Sequence, residues 1–189
     1  MRARPTRRVL LVALVAVIAT VAARVAAPAP ERHAGFSAAL GCGYDRWSIK
    51  TLKDRTQLVR AQRTTIAHLV RLPRPKPFPP PERLPLEHHI YTVVAEVTAI
   101  KPETDRDNHV LLRSGSFTML AETPSWLCTE GATAYRRKQM KNSRAVARVC
   151  ANARVTGVAF WDYQYWLRGA ARNAIELHPV LDFACLSEA

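Results

Sequence analysis

A long alternation of apolar and mostly polar residues is the most regular pattern in the chain. Apolar side chains occupy every second position from residue 91 to residue 99. A period of two is typical of a half-buried β-strand. A charged turn at residues 103–108 follows, and then apolar runs at 109–113 and 117–122 are separated by Gly115. Together these features predict a three-stranded meander.

The following region predicts one helix and two further strands. Residues 132–150 contain many helix formers and a weak apolar face, which predicts a helix mainly in their second half. Residues 154–162 and 175–183 predict the strands. This order is that of the OB-fold, so we predict a mainly β (α+β) protein with an OB-like five-stranded barrel and one helix between strands 3 and 4. Other α+β folds share the order.

Composition divides the exported part of the chain into three segments. Residues 86–189 are predicted to form the OB-like β domain. Residues 72–85 are rich in proline and predict an extended connector. Residues 28–71 are predicted to be an N-terminal arm that packs on the barrel, because so short a segment cannot bury a core of its own.

The arm contains two predicted elements. We predict a short strand at residues 47–51, with Trp47 as the anchor on the barrel. A short capped helix is predicted at residues 64–70. Lys50 and His68 are expected to face solvent.

The first 27 residues have the layout of a secretory signal. A basic head precedes an apolar run at residues 9–23, and small residues extend to residue 27. We therefore predict a signal peptide at 1–27 and a secreted, periplasmic or cell-envelope protein. Export would use the Sec route or, given the pair Arg7-Arg8, the Tat route. An uncleaved anchor is the alternative, although an apolar run of 15 residues is shorter than the about 20 that span a bilayer.

Four cysteines, at positions 42, 128, 150 and 185, lie in the predicted exported part. An oxidising compartment favours two disulfides, and the spacing leaves all three pairings open. The chain lacks the paired Cys-x-x-Cys clips of a structural zinc site. No cofactor is predicted.

Positive charge is the main clue to partners. The chain has 28 Lys and Arg against 15 Asp and Glu, and residues 1–27 account for five arginines and no acid. The remaining excess favours an anionic polymer, an acidic glycan or a phospholipid surface. Arg136, Arg137 and Lys138 form the candidate anion-binding cluster. The alternative is a solvated helix face.

The connection between the last two predicted strands concentrates aromatic and arginine side chains. Such side chains stack on bases or sugar rings, and this OB-fold loop often contacts ligands. In the alternative interpretation, Trp161 and Tyr163 simply pack in the core. The candidate ligand-binding residues, for nucleic acid or carbohydrate, are Tyr163, Tyr165, Trp166, Arg168 and Arg172.

The last strand contains candidate acid–base residues. Its alternation assigns Ile175, Leu177, Leu181 and Phe183 to the core face and Glu176, His178, Val180 and Asp182 to the opposite face. Glu176 and His178, with His109, are therefore weak candidates for general acid–base chemistry or metal binding. The alternative is a hydrogen-bonded pair that stabilises the sheet surface.

Several segments together resemble a family of secreted bacterial proteins with no assigned function. They are W-S-I-K-T at 47–51, the turn and strand at 105–112, M-L-A-E-T-P at 119–124, V-T-G-V at 155–158 and I-E-L-H-P-V-L-D at 175–182. The resemblance covers nearly the whole exported chain and implies export and a single domain. It also implies Cys42–Cys128 and Cys150–Cys185 disulfides. The chain departs from the family at residues 165–167, where relatives have a histidine.

A weaker similarity connects the chain to thermonuclease-like proteins, which are secreted OB-folds. It implies that Asp107 and Glu122 would hold a calcium ion. Ser125 then stands at the position of the water-activating glutamate, and Phe117 at that of a phosphate-gripping arginine. A metal site without its base and its cation should be a poor catalyst.

These observations favour an exported OB-like binding module over an enzyme. A metal-dependent phosphodiesterase or nuclease is the first alternative. A structural protein of the envelope is the second.

Overall fold

The computed structural model describes residues 41–43, 45–76, 82–163 and 167–189. The predicted signal peptide and the two aromatic residues Tyr165 and Trp166 lie outside the described residues. Within these ranges, no helix is long and apolar enough to span a membrane.

Six strands form one sheet that closes on itself. Their order is β1-β2-β3-β4-β6-β5, and β5 also pairs with β2. The helix α3 lies between β4 and β5, so β2 to β6 form the predicted OB-like barrel. The strands are β1 Val59–Arg63, β2 His89–Pro102, β3 Asn108–Ser114, β4 Phe117–Thr123, β5 Cys150–Trp161 and β6 Ile175–Ser187. The helices are α1 Trp47–Lys50, α2 Ile66–Leu69 and α3 Ala134–Val146, with 3₁₀ turns at Pro85–His88 and Trp126–Thr129.

The barrel interior is filled by the alternating positions of its strands. Val93 and Val97 of β2 are fully buried, as the period of two in this strand predicts. Met140 of α3 packs with Val158 and Leu181 in a second, smaller cluster. The helix therefore packs against the outer side of the β5–β6 pair rather than entering the main core.

The arm differs from its prediction at residues 47–51, which form α1 and not a strand. Arg46 turns the chain through a left-handed conformation with φ 52°. The Thr51 hydroxyl and N–H both donate to the Trp47 carbonyl, which closes the helical turn. Trp47 itself is buried beside the disulfide-bonded cysteines Cys42 and Cys128.

The rest of the arm contains one predicted element and one that the sequence did not reveal. The helix α2 begins after Thr65, whose side chain accepts a hydrogen bond from the His68 N–H. The strand β1 pairs in parallel with β2, and all five of its side chains are exposed. Because β1 has no buried face, it lacks the hydrophobic alternation that would have predicted it.

Both disulfides implied by the family resemblance are confirmed. Cys42 bonds Cys128 with a Cα–Cα distance of 5.7 Å, and Cys150 bonds Cys185 at 5.9 Å. The first connects the arm to the 3₁₀ turn after β4, and the second connects β5 to β6. Two disulfides are typical of a protein in an oxidising compartment.

Candidate functional site: a buried cluster of carboxylates and histidines

His178 lies at the centre of a buried polar cluster. Its Nδ1 is 3.1 Å from Glu122 Oε2 and 3.1 Å from Glu176 Oε1, while its Nε2 is 3.2 Å from Asp107 Oδ2. The contact with Glu176 has hydrogen-bond geometry. The approach to Asp107 does not, so His178 Nε2 and both Asp107 carboxylate oxygens lack a hydrogen-bond partner among the described residues.

The position of Glu176 and His178 corrects one prediction. The two residues share a face of β6, as their spacing predicts, but that face is buried rather than at the sheet surface. It is buried because the arm covers it, and the Trp47 ring meets the His178 ring edge-on at 6.3 Å.

The predicted face assignment also fails further along β6. Val180 lies in the main core, and Leu181 packs in the smaller cluster beside α3. The pairing with β5 slips between Thr156 and Ala159, and this irregularity breaks the simple alternation.

His109 and Glu122 are brought together by strand register. The two residues are directly opposite in the β3–β4 pair. His109 Nε2 is 2.9 Å from Glu122 Oε1, and His109 Nδ1 is 3.1 Å from Glu103 Oε1. Cross-strand pairing therefore fixes the Glu122 carboxylate between His109 and His178.

Lys50 supplies a buried ammonium group to the same cluster, contrary to the prediction that it faces solvent. The residue is 7% exposed, and its Nζ is 3.0 Å from Asp162 Oδ2. Burial alone would lower the pKa of Lys50, but the negative charges of Glu122, Glu176 and Asp162 outweigh it and raise the pKa. The sequence did not reveal the burial of Lys50, because α1 covers this side of the barrel only through tertiary contacts.

The cluster shifts the pKa values of the neighbouring residues Glu122 and Glu176 in opposite directions. Burial would raise the pKa of Glu122, but His178, His109 and Lys50 hold it well below its usual value. Burial and the nearby charges of Glu122 and Asp162 raise the pKa of Glu176 to about 8. Glu176 therefore retains a proton at neutral pH, whereas Glu122 is ionised.

The pKa values of Asp107, His178 and His109 are also shifted from their usual values. Burial raises the pKa of Asp107, although His178 opposes the shift. Burial would lower the pKa of His178, but Glu122 together with the contacts to Asp107 and Glu176 raises it well above its usual value. For His109, the attraction of Glu122 and Glu103 likewise overcomes burial and raises the pKa.

A cavity of about 310 Å³ opens beside this cluster. Its walls come from the turn before β3, the connection between β5 and β6, and the arm. In OB-folds these two loops and the adjoining strands form the usual ligand-binding face. The polar lining comprises Asp45, Lys50, Glu103, Asp105, His109, Glu122, Asp162 and Glu176, and the apolar lining includes Trp47, Tyr163, Leu167 and Ile175.

The predicted aromatic loop contributes only in part to this lining. Tyr163 lines the cavity and is 38% exposed. Arg168 and Arg172 are exposed and are not among the described residues that line it. Trp161 is buried in the core, as the alternative interpretation expected.

The predicted anion-binding residues lie on α3. The Arg137 guanidinium stacks 3.8 Å from the centre of the Trp126 ring, and Lys141 lies 5.2 Å from the same ring. Arg136 donates to Gln139 one turn further along the helix. Trp126 is 42% exposed, so this cationic and aromatic surface faces solvent.

The predicted metal ligands do come together, but their surroundings do not fit a calcium ion. Asp107, Glu122 and His178 each place a ligand atom within 4.8 Å of the others. The imidazole contacts both carboxylates, and these contacts raise the pKa of His178 well above its usual value. Calcium prefers six to eight oxygen ligands, whereas the third ligand atom of this cluster is an imidazole nitrogen.

Ser125 and Phe117 stand where the thermonuclease similarity would need a base and a cation, and neither residue serves either role in the structure. Ser125 precedes a 3₁₀ turn, and its carbonyl accepts the Cys128 N–H. Phe117 packs against the barrel core, with the Arg71 guanidinium 4.7 Å from its ring. Neither Ser125 nor Phe117 has a side chain that can act as a base or as a cation.

Sequence reasoning missed Lys50, Asp162 and the cavity role of Trp47. The segment around Lys50 contained a signal, because Lys50 is flanked by apolar residues at 47, 49 and 52. A lysine within an apolar segment indicates either a snorkelling side chain or a buried charge with a partner. Asp162 lies directly after a buried strand, which gives no comparable indication.

No protein-family model and no curated protein matches the chain. Solved structures show fold similarity at low identity. A protein described as an aspartyl-tRNA synthetase from Leishmania major Friedlin aligns with 71% of this chain and 22% of its own length, at 14% identity and a TM-score of 0.44. The aspartyl-tRNA synthetase from Entamoeba histolytica aligns with 68% of this chain and 22% of its own length, at 16% identity and a TM-score of 0.44. An OBody bound to hen egg-white lysozyme aligns with 55% of this chain and 87% of its own length, at 16% identity and a TM-score of 0.37.

Proposed function

We propose that this protein is an exported OB-like binding module whose ligand is an uncharged carbohydrate held in the acidic cavity. The observation that supports the proposal most directly is the position of the cavity. It lies where the turn before β3 and the β5–β6 connection meet, which is the ligand-binding face of OB-folds.

The charge of the lining selects among ligand classes. Six acidic side chains line the cavity, against Lys50 and His109 as basic ones. Such a lining repels the phosphates of a nucleic acid, whereas carboxylates readily accept hydrogen bonds from hydroxyl groups. Of the ligands predicted from the sequence, this favours carbohydrate over nucleic acid within the cavity.

Two aromatic residues add to this preference. Trp47 and Tyr163 both line the cavity and provide apolar surface for a sugar ring. Tyr163 is 38% exposed, so its ring is accessible to a ligand in the cavity.

Export remains part of the proposal. It rests on the signal-like segment at residues 1–27 and is supported by the two disulfides.

Calorimetric titration tests this function. The disulfide-intact protein is titrated with α- and β-linked oligosaccharides of glucose and N-acetylglucosamine at low and high salt. We expect saturable binding that changes little with salt and that weakens about tenfold in Tyr163→Ala, which removes the exposed aromatic ring from the cavity wall. Absence of binding by every oligosaccharide would refute the proposal.

A second candidate function is supported by the surface of α3. Arg137 stacked on exposed Trp126 resembles the combination of cation and aromatic ring that binds single-stranded nucleic acid. If this surface binds a polyanion, affinity for single-stranded DNA should fall steeply with salt. Joint neutralisation of Arg136, Arg137 and Lys138 should weaken all sequences alike, whereas neutralising three exposed basic residues elsewhere should have less effect. Suitable controls are Arg60, Arg63 and Lys101.

A further inference from the structure

We infer that Asp107, Glu122 and His178 bind a divalent transition-metal ion, with zinc as the best fit. The inference goes beyond the proposed function, because it concerns the buried cluster and needs no carbohydrate. It also differs from the calcium site that the thermonuclease similarity implies. The difference is the imidazole of His178, which supplies a nitrogen ligand that zinc accepts and calcium does not prefer.

Three elements of the barrel supply the three side chains. Asp107 directly precedes β3, Glu122 lies near the end of β4, and His178 lies in β6. Where β4 and β6 run side by side, Ala121 pairs with Leu177, and this register brings Glu122 next to the segment of β6 that holds His178. One ligand atom from each of the three side chains lies within 4.8 Å of the others. Strand pairing therefore holds the donors together before any ion binds.

Unpartnered buried atoms of this cluster indicate a ligand. They are both carboxylate oxygens of Asp107 and Nε2 of His178, which have no hydrogen-bond partner among the described residues. Both side chains are completely buried. Buried polar atoms in native proteins are nearly always satisfied by protein, ordered water or an ion. A metal held between Asp107 and His178 Nε2 would satisfy the carboxylate and the imidazole together.

The distance between these two groups fits ligands of one ion. His178 Nε2 is 3.2 Å from Asp107 Oδ2, although the contact lacks hydrogen-bond geometry. Two ligands that are each about 2.0–2.1 Å from a tetrahedral zinc ion are about 3.3 Å from each other. The observed separation is therefore close to that of two neighbouring zinc ligands.

The other ring nitrogen of His178 has the contact that is typical of a metal-bound histidine. His178 Nδ1 is hydrogen-bonded to Glu176 Oε1 at 3.1 Å. Histidines that ligate a metal almost always donate their second ring N–H to a carboxylate, a carbonyl or water, which fixes the ring and its tautomer. With Nδ1–H donating to Glu176, Nε2 is the nitrogen that faces Asp107 and binds the metal. Glu176 is thus a positioning residue that acts through His178.

The ligand set also selects the ion and its path. One imidazole and two carboxylates suit zinc and related first-row ions, and three protein ligands leave one tetrahedral position for water or a small ligand. Glu122 lines the cavity and contacts His109 Nε2 at 2.9 Å, so the ion enters from the cavity side and meets a carboxylate that is already held. On binding, the metal replaces any proton on His178 Nε2, and that proton passes to solvent.

Metal titration of the disulfide-intact chain tests the inference. The protein is treated with a chelator, dialysed and titrated by calorimetry with zinc or with calcium in the absence of any sugar. We expect one zinc ion per chain, bound at least about a hundredfold more tightly than calcium. In nitrogen NMR of the imidazoles, zinc should shift the Nε2 resonance of His178 and leave that of exposed His68 unchanged.

Variants with matched controls assign the ligands. Asp107→Asn and His178→Gln should each weaken zinc binding at least about a hundredfold, whereas the same replacements at exposed sites, Asp182→Asn and His68→Gln, should change it less than about twofold. Glu176→Leu, which removes the acceptor of His178 Nδ1–H, should weaken binding at least about tenfold. Glu176→Gln restores an acceptor oxygen and should recover most of that loss.

The outcomes decide the inference independently of the proposed function. Absence of zinc binding would refute the site, and so would binding that Asp107→Asn and His178→Gln leave unchanged. Equal weakening by His68→Gln would show that zinc binds at surface histidines instead. Far-ultraviolet circular dichroism checks that each variant folds, and the NMR shift of His178 in the unaltered protein decides the question if a variant does not fold.

Discussion

The buried imidazole of His178 lies among three carboxyl groups, and the balance between burial and charge differs for each of them. Burial favours the neutral form of every carboxyl group, so Glu122 is ionised only because two imidazoles and Lys50 surround it. Glu176 has fewer compensating contacts and keeps its proton. One network of contacts thus produces two carboxyl groups with different protonation states about 5 Å or less apart.

These shifts predict how stability depends on pH. The folded pKa of Glu176 and that of His178 are both raised above the unfolded values of 4.5 and 6.5. Each group therefore contributes stability that is complete below its unfolded pKa and is lost as the pH rises through its folded pKa. Glu122, whose pKa is lowered, has the opposite sign, and its contribution is lost only as the pH falls below 4.5.

We therefore expect the free energy of unfolding to decrease between pH 5 and pH 8. Urea denaturation at unit intervals of pH measures it. Glu176→Gln keeps a neutral side chain at all pH values and should flatten the decrease. A variant that retained the full slope of the native protein would show that Glu176 does not carry the shift.

Lys50 is predicted to be essential for stability because its ammonium is the buried partner of Asp162. Removing one member of a buried ion pair leaves the other charge uncompensated, at a cost of about 3–5 kcal/mol. Lys50→Met should lower the free energy of unfolding at pH 7 by about that amount in urea denaturation. Lys101→Met, at an exposed position on β2, should change it by less than about 0.5 kcal/mol. Equal losses in the two variants would contradict the role assigned to Lys50.

The elements show why some parts of the sequence could be interpreted and others could not. Strand β2 has one face in the core and alternates accordingly, so its existence and its buried positions were predictable. Strand β6 is buried on both faces over residues 175–181, because the barrel covers one face and the arm and α3 cover the other. Alternation cannot reveal which polar residues of such a strand are buried.

The arm was the least predictable element for a related reason. Four residues are too few to show a helical period, so α1 carries no periodic signal. Its conformation depends on the left-handed Arg46 and on packing of Trp47 beside a disulfide. Both depend on tertiary contacts that local sequence does not determine.

The Cys42–Cys128 disulfide should be needed for the cavity as well as for stability. It holds the segment before α1 against the turn after β4, and α1 supplies Trp47 and Lys50 to the cavity wall. Replacing both cysteines with serine should lower the free energy of unfolding by about 2–5 kcal/mol. It should also weaken oligosaccharide binding.

The second disulfide provides the matched control. Cys150 and Cys185 do not line the cavity. Their joint replacement with serine should reduce stability, measured by urea denaturation, but leave the binding constant measured by calorimetry within about twofold. Equal weakening of binding by both pairs of substitutions would show that the effect is one of global stability.

In the whole molecule, the turn before β3, the β5–β6 connection and the arm meet at one side of the barrel. The order of strands predicted the OB-like barrel, and that fold brings the first two together. It did not predict that the arm closes over them. Glu122, Glu176 and His178 could therefore be recognised in the sequence as candidate site residues. The cation Lys50 could not, because it lies on α1 and reaches the site only through the fold.

The same arrangement bears on the nuclease alternative. Asp107 and Glu122 are close enough to share a cation, yet the imidazole of His178 contacts both, and these contacts raise the pKa of His178 well above its usual value. We therefore expect no calcium-dependent cleavage of single- or double-stranded DNA at pH 7. The assay compares calcium, magnesium and chelator with the disulfide-intact protein and with Asp107→Ala and Glu122→Ala.

Two results of that assay would be informative in opposite directions. Calcium-dependent cleavage abolished by Asp107→Ala or Glu122→Ala would show that a metal displaces the His178 proton, and it would overturn the carbohydrate-binding interpretation of the cluster. The carbohydrate-binding interpretation stands if the unaltered protein does not cleave DNA and if His178→Gln, which removes the competing positive charge, cleaves no more than the unaltered protein. Gain of metal-dependent cleavage in His178→Gln would identify the protonated imidazole as the group that excludes the metal from two suitably placed carboxylates.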